Sequence, residues 1–251
     1  LMNEKYVIYT SIFSNYDELV DPPKNEFFDY VCFTDNEKLK SKIWKIIHIK
    51  SKLPIKLLNR KYKFLPHRYL SQYKWSIYID GNITIMSTPV EMVNKYFNEY
   101  KISAPSHQER NCIYDEANFL KKYNNILDVK TINEQIKSIE KYNYPKNNGL
   151  NEFNLICRMH NSPEIIRSME ESWLIFKKYQ TRDQLIFNFV LWKNNIQIQK
   201  IEESSRIKNK FFRAVPHLNN KNLLKSIFNI FWYRRYHNKF FFLISKIIFK
   251  I

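Results

Sequence analysis

The chain has 251 residues, with 41 Lys+Arg against 24 Asp+Glu, a net charge of +17 and 44% hydrophobic residues. That is the composition of a folded protein large enough to bury a real core, not of a disordered one. Two glycines, Gly81 and Gly149, cannot write a P-loop or a GxGxxG fingerprint, and with nine prolines they exclude collagen-like and Gly-rich linker architectures.

In chain order, Lys5–Phe13 is a β-branched and aromatic run that predicts a first strand, and Leu1–Thr10 reads as part of it rather than as a secretory signal. Asp21-Pro22-Pro23 breaks the chain. Phe28–Phe33 and Trp44–Ile49 predict two further strands. Asn59–Ser71 is basic and helical around a break at Pro66. Trp75–Ile79 is a nearly continuous apolar strand, ended by Asp80-Gly81-Asn82 and followed by an extended Ile83–Met86. Ser87-Thr88-Pro89 marks a helix start whose apolar face is Val90, Val93 and Phe97. Then come a strand at Ile102–Pro105, helices at Ile113–Tyr123 and Ile132–Tyr142, a strand at Phe153–Arg158 and a helix at Pro163–Tyr179. A helix capped by Thr181 and a final strand at Ile196–Ile201 complete the series. Strands alternating with helices predict an α/β sheet covered on both faces. No stretch of 18 apolar residues occurs. Cys32, Cys112 and Cys157 lack metal-ligand spacing and read as buried free thiols of a reducing compartment.

Ligands of α/β sheets bind beyond the carboxyl ends of the strands. Asp80 and Asn82 stand there around Gly81, and their oxygens suit Mg²⁺ or Mn²⁺ shared with substrate phosphates. An Asp-Gly turn would leave the same trace. Thr34-Asp35 ends the second strand, where an acid can bond a ribose or base edge or simply close an Asx turn. Arg60, Lys61, Lys63, His67 and Arg68 could clamp a diphosphate or form a solvated helix face. His107, Arg110 and Glu116, then Arg158 and His160, then Arg182, Asp183 and Gln184 each mix a cation with an acid, base or amide at a loop or helix start. Single groups of this kind are more often structural than catalytic. Asp183 also suits the dipole of its own helix. No GxSxG elbow is present.

Taken together, Tyr9–Asp17 (YTSIFSNYD), Tyr30–Asp35, Asn59–Leu70, Trp75–Ile83 (WSIYIDGNI), His107–Ala117 (HQERNCIYDEA), Gly149–Asn161 and Thr181–Phe187 resemble a known family. It is the glycosyltransferase-like family catalogued as domain of unknown function 616, with bacterial relatives and with plant members tied to mucilage synthesis and turgor control. The resemblance runs over about residues 5–190. It implies a GT-A-like Rossmann-type mixed sheet flanked by helices, and a hexosyltransferase acting in surface polysaccharide or lipopolysaccharide synthesis. It makes Asp80-Gly81-Asn82 the counterpart of an Asp-x-Asp metal signature in which Asn82 replaces the second acid, and a neutral ligand weakens cation binding.

On that footing Thr10, Ser11, Phe13 and Asp35 contact the nucleoside of a nucleotide-sugar. Asp80, Asn82 and His217 hold Mn²⁺ or Mg²⁺ on the diphosphate, beside Gly81. Arg60 and Lys63 neutralise the leaving group. Asp183 and Asp80 are the catalytic candidates, Asp183 as the acceptor-side carboxylate. His107, Arg110, Glu116, Arg158, His160, Arg182 and Gln184 shape the acceptor pocket. A lipid amide hydrolase of ceramidase type and a nucleotide-sugar-binding module without catalysis are the alternatives.

Residues 204–251 hold eleven Lys/Arg and no acid, so the preceding chain carries only +6 of the net charge. A near-balanced body argues against a nucleic-acid-binding face. The natural division is a catalytic domain over residues 1–218 and a basic amphipathic helical appendage over 219–251. Lys225, Arg234, Arg235, Lys239, Lys246 and Lys250 interrupt its apolar run. Such a composition is that of an interfacial helix pair on an anionic membrane surface, with a core-packed helix with a solvated basic side as the alternative. The first option gives a cytoplasmic enzyme, peripheral on the inner face of the membrane, with a glycan or lipid-linked acceptor.

Overall fold

The computed structural model describes residues 5–123, 127–217 and 223–249; the side chains of 223–228 and of 249 lie outside that description, as does the expected domain boundary at residue 218. The strands are β1 (Tyr6–Ile12), β2 (Phe28–Thr34), β3 (Lys45–His48), β4 (Ser76–Ile79), β5 (Ile83–Ile85), β6 (Ile102–Pro105), β7 (Leu155–Arg158), β8 (Gln199–Ile201) and β9 (Phe212–Ala214). The helices are α1 (Ile55–Phe64), α2 (Val90–Tyr96), α3 (Ile113–Tyr123), α4 (Val129–Glu140), α5 (Pro163–Tyr179), α6 (Asp183–Lys193), α7 (Leu223–Arg234) and α8 (Lys239–Phe249).

Seven strands form the main sheet in the order β3-β2-β1-β4-β7-β6-β8. All neighbouring pairs are parallel except those made by β7, which runs against both β4 and β6. The chain leaves β1 towards β2 and β3, then returns to lay β4 on the other side of β1. That reversal opens a crevice at the carboxyl ends of β1 and β4.

The strand interiors are buried on both faces. Val7 and Tyr9 of β1 join Tyr78 and Ile156 in one apolar layer, which α1, α3, α4, α5 and α6 cover. Ile8 and Ile12 join Ile77, Leu155 and Cys157 in the other, covered by Met92 and Tyr96 of α2 and by Phe212 of β9. Burial on both sides is why these strands read as continuous apolar runs without alternation. Helix α6 is buried from Asp183 through Leu191. All three cysteines are buried and free, as their contexts imply.

Local readings change in four places. Helix α1 starts at Ile55, after Pro54, and a single 3₁₀ turn at Pro66–Arg68 follows it. Thr181 does not cap α6: Arg182 occupies that position, and the Thr181 hydroxyl donates to Gln135 of α4. Val90, Val93 and Phe97 are only partly buried, while Met92 and Tyr96 carry the inner face of α2. The strand ending at Ile201 is not the last, because β9 pairs antiparallel with β5 in a two-stranded sheet of its own.

The β5–β9 pairing matters for the site. Val215 N–H donates to Asn82 C=O at 2.9 Å, and Asn82 Nδ2 donates to Val215 C=O at 2.8 Å. This clasp brings His217 beside residues more than 130 positions earlier in the chain. No helix among the described residues is long and apolar enough to cross a membrane.

Candidate functional site

The crevice holds a cavity of about 410 Å³. Ser11, Ile12 and Phe13 enter it from the end of β1, and Tyr78, Asp80, Gly81 and Asn82 from β4 and its turn. Asn59 and Arg60 of α1, Arg182 before α6, Arg206, His217, and Trp232 and Tyr233 of α7 complete most of the wall.

The turn after β1 is tight. Ser14 and Asn15 both take left-handed backbone conformations, with φ of 56° and 50°. Tyr16 N–H then bonds Phe13 C=O at 3.2 Å. Asp35 secures this turn by accepting the Ser14 N–H at 2.9 Å. The turn delivers Tyr16 and Asp17 to the cavity, where Asp17 Oδ1 lies 2.7 Å from His217 Nδ1. Gly81 permits the close approach: a Cβ there would meet Ile12 Cγ1 at 2.8 Å and Asp17 Oδ2 at 3.0 Å.

Behind the wall lies a buried ion cluster. Lys63 Nζ sits 2.5 Å from Asp183 Oδ2 and 3.2 Å from Asp80 Oδ1, with its side chain 1% exposed. It also lies 4.9 Å from the centre of the Tyr78 ring. Burial alone would raise the Asp183 pKa, but the Lys63 ammonium and the Arg60 guanidinium outweigh it and hold the group well below the carboxylate range. The Tyr78 hydroxyl donates to Asp80 Oδ1 at 2.9 Å. Burial and the adjacent Asp80 charge push the Tyr78 phenol well above its ordinary value, so it remains a donor. Asp80 therefore has one oxygen fixed from behind and the other left for a ligand.

Of the residues expected to form the site, Ser11, Phe13, Arg60, Asp80, Gly81, Asn82, Arg182 and His217 line one cavity. Lys63 and Asp183 stand behind it, and Thr10 is buried within β1. The remainder lie elsewhere. Asp35 supports the β1 turn from outside the cavity wall. Arg158 is fully buried, donating to the Tyr9 hydroxyl and the Lys63 carbonyl, so it joins β7, β1 and α1 rather than shaping a pocket. His160 is fully buried with Nε2 at 2.9 Å from Leu70 C=O. Gln184 is buried in α6.

His107, Arg110 and Glu116 form a separate knot: Arg110 Nε donates to Glu116 at 2.6 Å, and the His107 Nδ1 accepts the Glu109 and Arg110 backbone N–H groups at 3.1 Å. Glu109 in turn takes Arg235 at 3.3 Å and the Tyr236 hydroxyl, fastening the end of α7 to the body. Sequence reading missed Tyr16, Asp17, Asn59, Tyr78, Asn154, Arg206, Trp232 and Tyr233. Tyr16 and Asp17 had a local signal, at the end of the run that closes the first strand. Arg206 and the α7 pair had none, since only the fold brings them here.

Among the described residues no group of three or more His, Cys, Asp and Glu side chains could hold a metal ion. Asp80, Asn82 and His217 line the same cavity, and a carboxylate oxygen, an amide oxygen and an imidazole nitrogen are donor types that Mn²⁺ accepts. The Asn82 amide nitrogen is committed to Val215, which leaves its oxygen for a ligand. The Asp17 carboxylate at His217 Nδ1 favours the tautomer with a bare Nε2, the usual second partner of a metal-binding imidazole. Phosphate oxygens would have to complete the shell.

Among solved structures, the chain is similar to the apo structure of the bifunctional glycosyltransferase WbbM (10% identity, TM-score 0.49), covering 94% of this chain and 45% of that one. It is similar to the mannosyltransferase Ktr4p from S. cerevisiae (13% identity, TM-score 0.40), covering 75% of this chain and 65% of that one. A third is the galactosyltransferase LgtC in complex with donor and acceptor sugar analogs (9% identity, TM-score 0.44), covering 80% and 74%. The chain thus spans less than half of WbbM and under two thirds of Ktr4p. No curated protein matches it. The family model described as TOD1/MUCI70, glycosyltransferase-like domain, matches residues 1–217, and the chain belongs to that family.

Proposed function

We propose that this protein transfers a sugar from a nucleoside-diphosphate sugar to a glycan or lipid-linked acceptor, with the donor across the carboxyl ends of β1 and β4. The observation that carries this reading is the convergence of Arg60, Arg182 and Arg206 on a cavity that also presents Asp80, Asn82 and His217. Arg60 Nε faces Asp183 Oδ2 at 3.9 Å, and the buried Asn154 Oδ1 lacks a donor, which suits a hydroxyl of a ribose or sugar.

Negative charge grows on the departing diphosphate during transfer. Fixed guanidinium groups meet it without reorganising, which makes electrostatic stabilisation the main contribution of this site. Lys63, 3.2 Å from Asp80 Oδ1, fixes that carboxylate from behind. Asp80, Asn82 and His217 would hold a Mn²⁺ or Mg²⁺ ion, which when bound supplies further positive charge to the diphosphate. Ser11, Phe13 and the exposed Tyr16 form the end of the cavity suited to the nucleoside. Asp183, paired on two sides and held ionised, is a poor proton acceptor. Its role is to position Lys63 and Arg60.

The basic tail supports a place at an anionic membrane surface on the cytoplasmic side. Phe240, Leu243 and Ile247 of α8 are 63%, 61% and 70% exposed beside Lys239 and Lys246. That address would suit a lipid-linked acceptor.

The test is a thermal-shift series with UDP-, GDP- and CMP-sugars, with and without Mn²⁺. Binding stabilises the native state by mass action. At least one donor should raise the melting temperature of the wild type and leave Asp80→Ala and Arg182→Ala unchanged. A donor that stabilises all three proteins alike, or no response to any donor, would remove the proposed site.

A further inference from the structure

A second cavity, of about 380 Å³, lies between the N-terminal side of β8, helix α6 and the loop around Gly149. It shares no lining residue with the donor cavity. Its wall combines two aromatic rings with a series of amides. Tyr144 and Trp192 meet edge to face, with centroids 5.0 Å apart. Asn148, Asn151 and Gln197 surround them, with Lys200 at the margin and no acidic residue.

The hydrogen-bonding state of these groups is uneven. Asn188 also lines the cavity but is satisfied within the protein, accepting from Asn151 N–H at 3.2 Å and donating to Gln184 C=O at 2.9 Å. Among the described residues, neither the Trp192 indole N–H nor the Gln197 amide has a protein partner. The amide of Asn151 makes only long contacts, of 3.4 and 3.5 Å, to the Ala104 and Pro105 carbonyls. Gly149, at φ +84°, has nothing within 4 Å of the place a Cβ would take, so the loop leaves the cavity open.

These features select a ligand class. Amides offer donors and acceptors together, and so match hydroxyl groups, which do the same. Tyr144 is buried, so the partly exposed Trp192 ring supplies the aromatic surface, which suits the C–H face of a sugar ring. A single marginal lysine does not build an anion site, and a wall without carboxylates offers little to a cation.

The cavity is also close to the chemistry. Leu150 and Asn151 line it, while Asn154 lines the donor cavity, and three residues reach at most about 11 Å. Between them, Glu152 pairs with the donor-cavity residue Arg206 at 3.2 Å.

We infer that the Tyr144–Trp192 cavity is a subsite for a neutral glycan chain, binding acceptor sugars remote from the transferred one. The inference rests on the proposed glycosyl-transfer reading, but its test needs neither donor nor turnover. Saturation-transfer NMR on the full chain would use maltopentaose, cellopentaose and laminaripentaose as probes. At least one should receive saturation from the wild type. Gln197→Ala, an exposed position that spares the core, should weaken that binding at least tenfold, and Trp192→Ala should abolish it. Asp80→Ala should bind the same glycan as the wild type does. Absence of any signal with the three probes would overturn the subsite. So would binding that survives in Gln197→Ala and Trp192→Ala, or binding lost in Asp80→Ala, which would put the glycan in the donor cavity. Failure of the donor reading would register separately, in the nucleotide-sugar thermal shifts.

Discussion

Lys63 is nearly inaccessible and answers two carboxylates, Asp80 and Asp183. A buried ion pair contributes little net stability against an apolar substitute, yet removal of one member leaves the others uncompensated. Lys63→Ala should therefore lose about 3–5 kcal/mol in urea unfolding and abolish donor-induced stabilisation. A variant that unfolds like the wild type would mean that water or a neighbour already compensates the pair. Gly81→Ala probes the other side of Asp80. With Ile12 and Asp17 already inside contact distance of a methyl group, it should cost about 1–3 kcal/mol as overpacking, with transfer activity falling more steeply than stability. Residues of this kind divide by how local their signal is. Asp80 was legible because a strand, a carboxylate and a glycine are adjacent in the chain. Arg158 and His160 were misread because a polar residue at a strand end looks alike whether it faces ligand or core. Only the partners, Tyr9, Lys63 and Leu70, decide it, and these lie 90 or more positions away.

Among the elements, β9 contributes most for its size. Three residues carry the chain back to β5 and set His217 against Asp17. No periodicity announces so short a strand in a basic stretch, whereas β1, β4 and α5 were readable from apolar runs and a helix-starting proline. Val215→Pro removes the N–H that reaches Asn82 without touching any charged group. It should cost about 1–3 kcal/mol and eliminate any Mn²⁺-dependent part of the donor thermal shift. Retention of that part would show that His217 is held by Asp17 alone. Helix α6 is instructive in the opposite sense. Its sequence lacks a one-sided apolar stripe because neighbours surround it, so it reads as a buried run, and its capping residue was misassigned by one position.

At the scale of the molecule, histidines shielded from water add a pH response, His107 and His160 most strongly. Burial and nearby arginines push His107 down to about 3. Burial pushes His160 down to about 4, against the pull of its bond to Leu70 C=O. Both therefore stay neutral in the fold when the unfolded chain, with ordinary values near 6.5, takes up protons. The unfolded state then binds more protons, so stability falls as pH drops from about 6.5 towards 4, at up to about 1.4 kcal/mol per pH unit for each histidine. Urea titrations at pH 7 and pH 5 should show the loss, and a double variant with glutamine at both positions should reduce it, leaving the smaller part from His67 and His237, which burial also lowers. Asp183 acts the same way at lower pH: its depressed value adds stability above the ordinary carboxylate range and loses it as pH falls below.

The charge of the tail makes a separate prediction. Binding to phosphatidylglycerol vesicles should weaken in high salt and fall further in Leu243→Glu/Ile247→Glu, whereas binding indifferent to both would leave the basic excess without a membrane role.

The family match ends at residue 217, but the cavity does not. Trp232 and Tyr233 supply part of its wall, and Arg235 and Tyr236 fasten that wall to Glu109. Kinship and cavity therefore draw different boundaries. A chain cut where the family ends would keep the whole central sheet and lose one side of its cavity. Relatives that share the first 217 positions can differ in that side alone, so sequence change in α7 could retune what enters while every strand stays the same.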